Sequence, residues 1–210
     1  MGRLSYDPRR AVSHLKAADP VLASVIARVG PFTFTPERTS GTFEALAEAI
    51  VYQQLNGKAA GTIYARVQAL FGRAGLEPRA LARMSAPRLR AAGLSAAKLA
   101  ALKDLAAKTI AGEVPTLREA RVLSDEALIE RLTRVRGIGP WTAHMFLLFR
   151  LGRPDVLPTG DFAVQRAVGL LYGLRGHPKP EQVARAAEPW RPFRSVASWY
   201  LWRSLDAATL

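Results

Sequence analysis

Apolar residues recur at helical spacing along almost the whole chain. In the stretch DPVLASVIARVGP, five of them fall on one face of a helix: Val21, Leu22, Val25, Ile26 and Val29. A Gly-Pro pair then ends that helix. Signals for β-strands are confined to PFTFT and DVLPT, which are too short to build a sheet. The pattern therefore predicts an all-α fold of about ten helices with short connections.

Composition limits the classes of protein that this chain can belong to. Its 210 residues are 49% hydrophobic, which is enough for one sizeable core or for two lobes. The chain contains no cysteine, which excludes disulfides, thiol catalysis, cysteine-ligated zinc and iron–sulfur clusters. The first ten residues lack the apolar core of a signal peptide, and we expect a cytoplasmic protein.

The charge of the chain points to its partner. The formal net charge is +13 and the isoelectric point is about 11.0. A strong positive charge favours polyanions, with nucleic acid first among them. A solvated surface rich in arginine is the alternative, and charge alone does not separate the two.

A glycine turn stands between two predicted helices, SDEALIERLTRV and WTAHMFLLFRLG. Gly137 and Gly139 permit backbone angles that a side chain would disfavour, and Pro140 suits the first turn of the helix that follows. We expect Ile138 to point inward while the glycine N–H groups face solvent. Exposed amides at a helix N-terminus form an anion site, and a DNA phosphate is expected to bind at Gly137, Ile138 and Gly139. An ordinary corner between two helices is the alternative.

One acid follows the second of these helices. The extended stretch VLPTG leads to Asp161, which begins the predicted helix DFAVQRAVGLLYG. Aspartate at a helix start is commonly an N-cap. Position alone therefore predicts a cap for Asp161.

Four separate stretches carry a resemblance to a known family. LTRVRGIGPWTAHMFLLF and DVLPTGDFAVQRAV resemble the hairpin and the aspartate loop of the helix–hairpin–helix DNA glycosylase superfamily. AIVYQQLNGKAAGTIYARV and WRPFRSVASWYLWR are similar to segments of its alkylation-damage branch, the 3-methyladenine DNA glycosylase II enzymes. All four occur in the family's order. The chain resembles the compact form, without an N-terminal β domain.

The resemblance implies an architecture of two helical lobes with a cleft between them. One lobe would be a bundle over residues 42–149, containing the hairpin at about 124–150. The other would combine residues 1–41 with 150–210 and would carry Asp161 at the cleft.

The resemblance also implies a chemistry. Asp161 matches the catalytic aspartate, which would stabilise the oxocarbenium ion that develops on the sugar and would deprotonate water. Trp141 stands where bifunctional relatives place a Schiff-base lysine, so this chain should hydrolyse the base and leave the strand intact. Core packing is the alternative for Trp141.

Further roles follow from the same matching positions. Trp141, Met145, Trp202 and Tyr52 would line the base pocket, where aromatic faces stack on a flipped cationic base. Gln54 or the adjacent Leu55 would fill the hole left in the duplex. Alternatively, Gln53 and Gln54 are simply polar residues at a helix end.

Cofactors are expected to be absent, apart from one ion. The resemblance implies a monovalent cation, Na+ or K+, on the main-chain carbonyls of Thr133, Val135 and Gly137. The histidines are scattered along the chain and form no metal motif: His14, His144 and His177.

The implied function is that of a monofunctional glycosylase, monomeric and associated with the nucleoid, acting on double-stranded DNA. Its implied substrates are 3-methyladenine and 7-methylguanine. Met145 stands where the family's best-known member has an aromatic residue. A wide pocket is therefore expected to admit 1-methyladenine, 3-methylcytosine and ethenoadenine as well. The alternatives are a non-catalytic hairpin protein that binds DNA structure and a glycosylase for mismatched or oxidised bases.

Overall fold

The computed structural model describes residues 4–206, which contain thirteen α-helices and no β-strand. The predicted all-α class is confirmed, although the count of about ten helices was too low. Three of the helices not foreseen have six residues each: α5 (Pro78–Arg83), α6 (Ala86–Ala91) and α8 (Leu117–Val122). Helices this short are held by packing and caps, and they give little apolar periodicity to detect.

The chain divides into two compact units. We call Thr39–Phe146 the central unit, and the described parts of Met1–Arg38 and Leu147–Leu210 the terminal unit. No helix within residues 4–206 has both the length and the apolar character that crossing a bilayer requires.

The central unit is built around its longest helix, α7 (Ala96–Ile110), which packs against α3 (Thr42–Tyr52), α5 and α6. Lys98 Nζ, near the start of α7, donates to the Val51 carbonyl at the end of α3 over 2.7 Å. The eight helices of this unit are α3 (Thr42–Tyr52), α4 (Gly57–Ala69), α5, α6, α7 (Ala96–Ile110), α8, α9 (Asp125–Thr133) and α10 (Pro140–Met145).

In the terminal unit, other helices pack around the last helix of the chain, which is nearly buried. Its helices are α1 (Pro8–Ala18), α2 (Pro20–Val29), α11 (Phe162–Leu171), α12 (Pro180–Ala186) and α13 (Arg194–Ser204). Helix α13 packs against α1, α2 and α11. Trp190, Trp199 and Tyr200 are buried in the core of this unit.

The chain passes from α10 into the terminal unit through a π-helical turn, Phe146–Arg150. The sequence predicted one continuous α-helix here, whereas the structure has an α-helix that is followed by a π-helical turn. Turns of this kind occur mostly as single insertions in α-helices, often near functional sites.

Candidate active site

Asp161 is the N-cap of α11 and is nearly buried, with 9% of its surface exposed. Its Oδ1 atom accepts a hydrogen bond from the Val164 backbone N–H over 2.9 Å. The cap predicted from the sequence is therefore present. This bond fixes the carboxylate at the start of a ten-residue helix.

A tryptophan holds the same carboxylate oxygen. Trp202 Nε1 donates to Asp161 Oδ1 over 3.0 Å. The Trp202 ring stacks on Phe149, with centroids 5.6 Å apart and planes 23° apart. Two N–H donors from different elements thus hold the Oδ1 atom of the carboxylate. Trp202 was predicted to stack on the base, and the structure adds a role in orienting Asp161.

Trp202 also lines a cavity of about 460 Å³ in the terminal unit. Its lining is mixed aromatic and charged: Thr33, Phe34, Thr35, Glu37, Phe149, Trp199, Trp202, Arg203 and Asp206. Asp161 is not part of this lining.

The segment that leads to Asp161 is anchored on α13. Arg194 binds Asp155 in a bidentate ion pair, with Nε–Oδ1 at 2.7 Å and Nη2–Oδ2 at 2.9 Å. The Ser195 N–H donates to the Pro154 carbonyl over 3.0 Å. Trp202, about two turns along α13, holds the other end of the segment at Asp161. One rigid helix therefore sets the course of the extended segment and the position of its acid.

The hairpin lies in the central unit, between α9 and α10. Ile138 points inward and is 3% exposed, as predicted. Gly137 has φ +79°, where a side chain would be strained, and an added Cβ would stand 3.2 Å from that of Ala101. Gly139 has φ −92° and open space around it. Of the two glycines, only Gly137 therefore uses a backbone angle that a side chain would disfavour.

Some backbone N–H groups of the turn donate hydrogen bonds within the protein, and others do not. The Arg136 N–H donates to Asp104 Oδ2 over 2.7 Å, and the Ile138 N–H donates to the Val135 carbonyl over 3.0 Å. The N–H groups of Gly137 and Gly139 donate to no group within residues 4–206. An anion at this turn would therefore meet the two glycine amides and not that of Ile138.

Asp104 is a charged neighbour of this turn. Burial alone would raise its pKa, but hydrogen bonds from the Arg136 N–H and from Lys108 Nζ, with the charges of both residues, lower it below the ordinary value. Lys108 pairs with Asp104 over 3.0 Å and also donates to the Arg134 carbonyl. These contacts fasten the turn to α7.

A strained loop joins α3 to α4. Gln54 has φ +56° and is the one non-glycine with positive φ within residues 4–206. Such a conformation costs about 1–2 kcal/mol and persists only where its surroundings hold it. Gln54 and Leu55 are both exposed, and Leu55 shows 40% of its surface. An ordinary polar helix end needs no such strain.

Gln53 is a site residue that sequence reasoning missed. Its Nε2 atom donates to the Gly137 carbonyl over 2.8 Å and to Thr142 Oγ1 over 3.3 Å. It thereby ties the strained loop to the hairpin. No local signal could reveal this, because the partners lie 84 and 89 residues away.

The other predicted pocket residues lie in the central unit. Trp141 is 47% exposed at the start of α10, so the alternative of core packing is wrong. Met145 is half-buried at the end of the same helix. Tyr52 is partly exposed, and its ring meets that of Tyr64 edge-on at 6.3 Å.

Known proteins resemble the chain over most of its length. Residues 47–192 match the family model described as HhH-GPD superfamily base excision DNA repair protein. The chain belongs to this superfamily. A DNA-3-methyladenine glycosylase of Schizosaccharomyces pombe is 37% identical over 95% of this chain and 88% of its own length.

Two solved structures of the superfamily show the same fold. A 3-methyladenine DNA glycosylase of S. pombe, in complex with abasic DNA, superposes with a TM-score of 0.83 at 36% identity, covering 95% of this chain and 98% of its own. A DNA-3-methyladenine glycosidase of Bacillus halodurans gives a TM-score of 0.85 at 34% identity, covering 98% and 92%. The predicted helix–hairpin–helix glycosylase fold is thereby confirmed.

Proposed function

We propose that the protein is a monofunctional DNA glycosylase that excises alkylated bases in base excision repair. Membership of the superfamily and relatives named as DNA-3-methyladenine glycosylases support an alkylbase glycosylase. The observation that carries the chemical assignment is Asp161, a nearly buried carboxylate oriented by two N–H donors.

The reaction is hydrolysis of the N-glycosidic bond. A base such as 3-methyladenine carries positive charge in DNA, so it leaves without being protonated. As the bond breaks, positive charge develops on the sugar, and Asp161 stabilises it electrostatically. Asp161 also accepts a proton from the water that attacks C1′, and the products are the free base and an abasic sugar.

The assignment as monofunctional rests on Trp141. An indole offers no amine to attack the sugar carbon, so no Schiff base forms at this position. Borohydride should therefore trap no covalent complex with abasic DNA. The strand should break only after later treatment with alkali.

DNA binding is assigned to the central unit. The N–H groups of Gly137 and Gly139, at the positive end of α10, bind a backbone phosphate. Gln54 or Leu55 enters the space that the flipped nucleotide leaves. The exposed ring of Trp141 stacks on the lesion base, with Met145 and Tyr52 as further pocket residues. The partner is double-stranded DNA with alkylated bases, and the enzyme acts as a monomer.

A monovalent cation, Na+ or K+, is the one bound ion that we propose. The Val135 and Gly137 carbonyls each accept one hydrogen bond, from the Ile138 N–H and from Gln53, which leaves each oxygen a second lone pair. With Thr133 they fit a cation in the turn. The ion would add positive charge beside the phosphate site.

The proposal is tested by measuring the free base that the protein releases from a panel of duplexes. Each duplex carries one modified base, namely 3-methyladenine, 7-methylguanine, 1-methyladenine, 3-methylcytosine or ethenoadenine, with 8-oxoguanine and a G·T mismatch as contrasts. We expect release of the methylated purines and intact strands. Release of 8-oxoguanine alone, or binding without any release, would replace the proposal with one of its rivals.

A further inference from the structure

Gln53 joins two parts of the central unit to which the proposed function gives different tasks. Its side-chain amide reaches the Gly137 carbonyl over 2.8 Å, in the turn proposed to bind phosphate. It also reaches the hydroxyl of Thr142, a buried residue of α10, over 3.3 Å. The next residue along the chain is Gln54, at the tip proposed to enter the duplex.

The strained tip lies between two fixed points. On one side, the Gln53 N–H ends α3 by donating to the Ala49 carbonyl over 3.1 Å. On the other, Asn56 caps α4, with its Oδ1 accepting from the Ala59 N–H over 2.9 Å. A left-handed glutamine persists only where such neighbours hold it. The position of the tip therefore depends on what Gln53 is attached to.

The attachment point is itself rigid. Gly137 packs against Ala101 of α7, and the preceding Arg136 N–H is held by Asp104. Lys108 of the same helix donates to the Arg134 carbonyl. The turn thus gives Gln53 a fixed reference, at the place where the DNA backbone is proposed to bind.

We propose that Gln53 is a positioning residue that couples the phosphate grip of the hairpin to insertion of the Gln54–Leu55 tip. Gln53 does not touch the reacting atoms. It sets where the tip stands relative to the phosphate held by Gly137 and Gly139, so that binding of the backbone delivers the tip to the base stack. The inference rests on the proposed function in that it takes DNA as the ligand of this turn.

The test variant is Gln53→Met, which keeps the length of the side chain and removes the donor. The matched control is Gln68→Met, which removes an exposed amide from α4. Thermal unfolding of both variants shows that each is folded. Fluorescence anisotropy with a short duplex containing an abasic-site analogue gives the affinity.

The first measurement needs no catalysis. A 2-aminopurine base placed opposite the abasic-site analogue brightens when the tip unstacks it. We expect the wild type and Gln68→Met to give the same increase at saturation, and Gln53→Met to give less than half of it at near-equal affinity. An unchanged increase in Gln53→Met overturns the proposal. The proposal is also overturned if weaker duplex binding by Gln53→Met fully explains its smaller fluorescence increase.

The second measurement is single-turnover release of 7-methylguanine from two duplexes. In one the lesion is paired with cytosine, and in the other it faces an abasic-site analogue, where less stacking and pairing must be broken. Loss of the coupling bond should slow release by roughly five- to tenfold on the paired lesion and by less than about twofold on the unpaired one. Equal losses on both duplexes contradict the proposal.

A double variant separates coupling from a general structural defect. In a Gln54→Ala background, Gln53→Met should add little further loss on the paired lesion, because both changes act through the same tip. Multiplied losses contradict the proposal. Absence of base release by the wild type would count against the proposed function, whereas the fluorescence measurement would still decide the role of Gln53.

Discussion

The candidate functional groups of the two units are built in opposite ways. In the terminal unit, one carboxylate is nearly buried, and the side chain of Trp202, 41 residues along the chain, donates a hydrogen bond to it. In the central unit, most of the candidate residues are exposed, and two of the candidate groups are backbone N–H groups on a turn that α7 holds in place. A group that stabilises a transition state has to be oriented before the substrate arrives. A group that binds a polymer has to be reachable.

The two tryptophans show the same contrast. Trp202 has its indole N–H engaged by Asp161 and one face covered by Phe149. Trp141 presents almost half of its surface to solvent. The sequence suggested one role for both, whereas their surroundings suit Trp202 to positioning the acid and Trp141 to stacking.

The largest expected effect is that of Asp161→Asn. Asparagine caps helices as well as aspartate does, and its Oδ1 can still accept from Val164 and Trp202. The fold should therefore survive. Base release under single-turnover conditions should fall by about two to three orders of magnitude, because a neutral amide neither stabilises the cation nor accepts the proton.

Duplex affinity is the control for that variant. It should be unchanged or higher, since a negative charge has been removed from a site that meets DNA. Release at close to the wild-type rate would remove Asp161 from the mechanism.

A smaller effect is expected from Trp202→Phe. This change keeps an aromatic ring against Phe149 and removes the donor to Asp161 Oδ1. A hydrogen bond to a charged group is worth about 1.5–3 kcal/mol, so the maximal rate should fall by roughly 10- to 100-fold while affinity stays the same. If affinity falls and the maximal rate does not, Trp202 contacts the substrate rather than the acid.

Gly137→Val should act on binding alone. The positive φ of Gly137 strains a β-branched side chain by about 1–3 kcal/mol, and the added Cβ would press on Ala101. Affinity should fall by roughly tenfold for damaged and undamaged duplexes alike. Gly139→Ala is the matched control, and it should bind like the wild type because its φ and surroundings tolerate a methyl group. A loss confined to damaged DNA would contradict the role of the turn.

The smallest effect is expected from Met145→Tyr. A flexible methionine shapes the pocket loosely, whereas a second ring should narrow it. Release of bulky ethenoadenine should fall a few-fold relative to 3-methyladenine, which is measured as the ratio of the two rates. An unchanged ratio would show that Met145 does not set the substrate range.

Local signals in the sequence predicted much of the fold. Helical periodicity and turn residues predicted α2, α9 and α11 close to their observed bounds. The cap at Asp161 and the inward Ile138 were also predicted, because both depend on neighbours a few residues away. The six-residue helices were missed because their stability comes from packing.

Contacts between residues that lie far apart in the sequence could not be predicted in the same way. Trp202 meets Asp161 across 41 residues, and Gln53 meets Gly137 across 84. The difference in conformation between Gly137 and Gly139 could not be predicted either, since a Gly-x-Gly pattern does not say which glycine takes the left-handed position. Such features follow from tertiary packing, which leaves no periodic signal in a single sequence.

The division of labour between the two regions has one direct test. Single-turnover rates of 7-methylguanine release are measured against enzyme concentration for the wild type, Asp161→Asn and Gly137→Val side by side. We predict that Asp161→Asn lowers the maximal rate without raising the half-saturating concentration, and that Gly137→Val raises the half-saturating concentration with little change in the maximal rate. If both variants lower the maximal rate with unchanged half-saturation, the hairpin takes part in the chemical step and the account is contradicted.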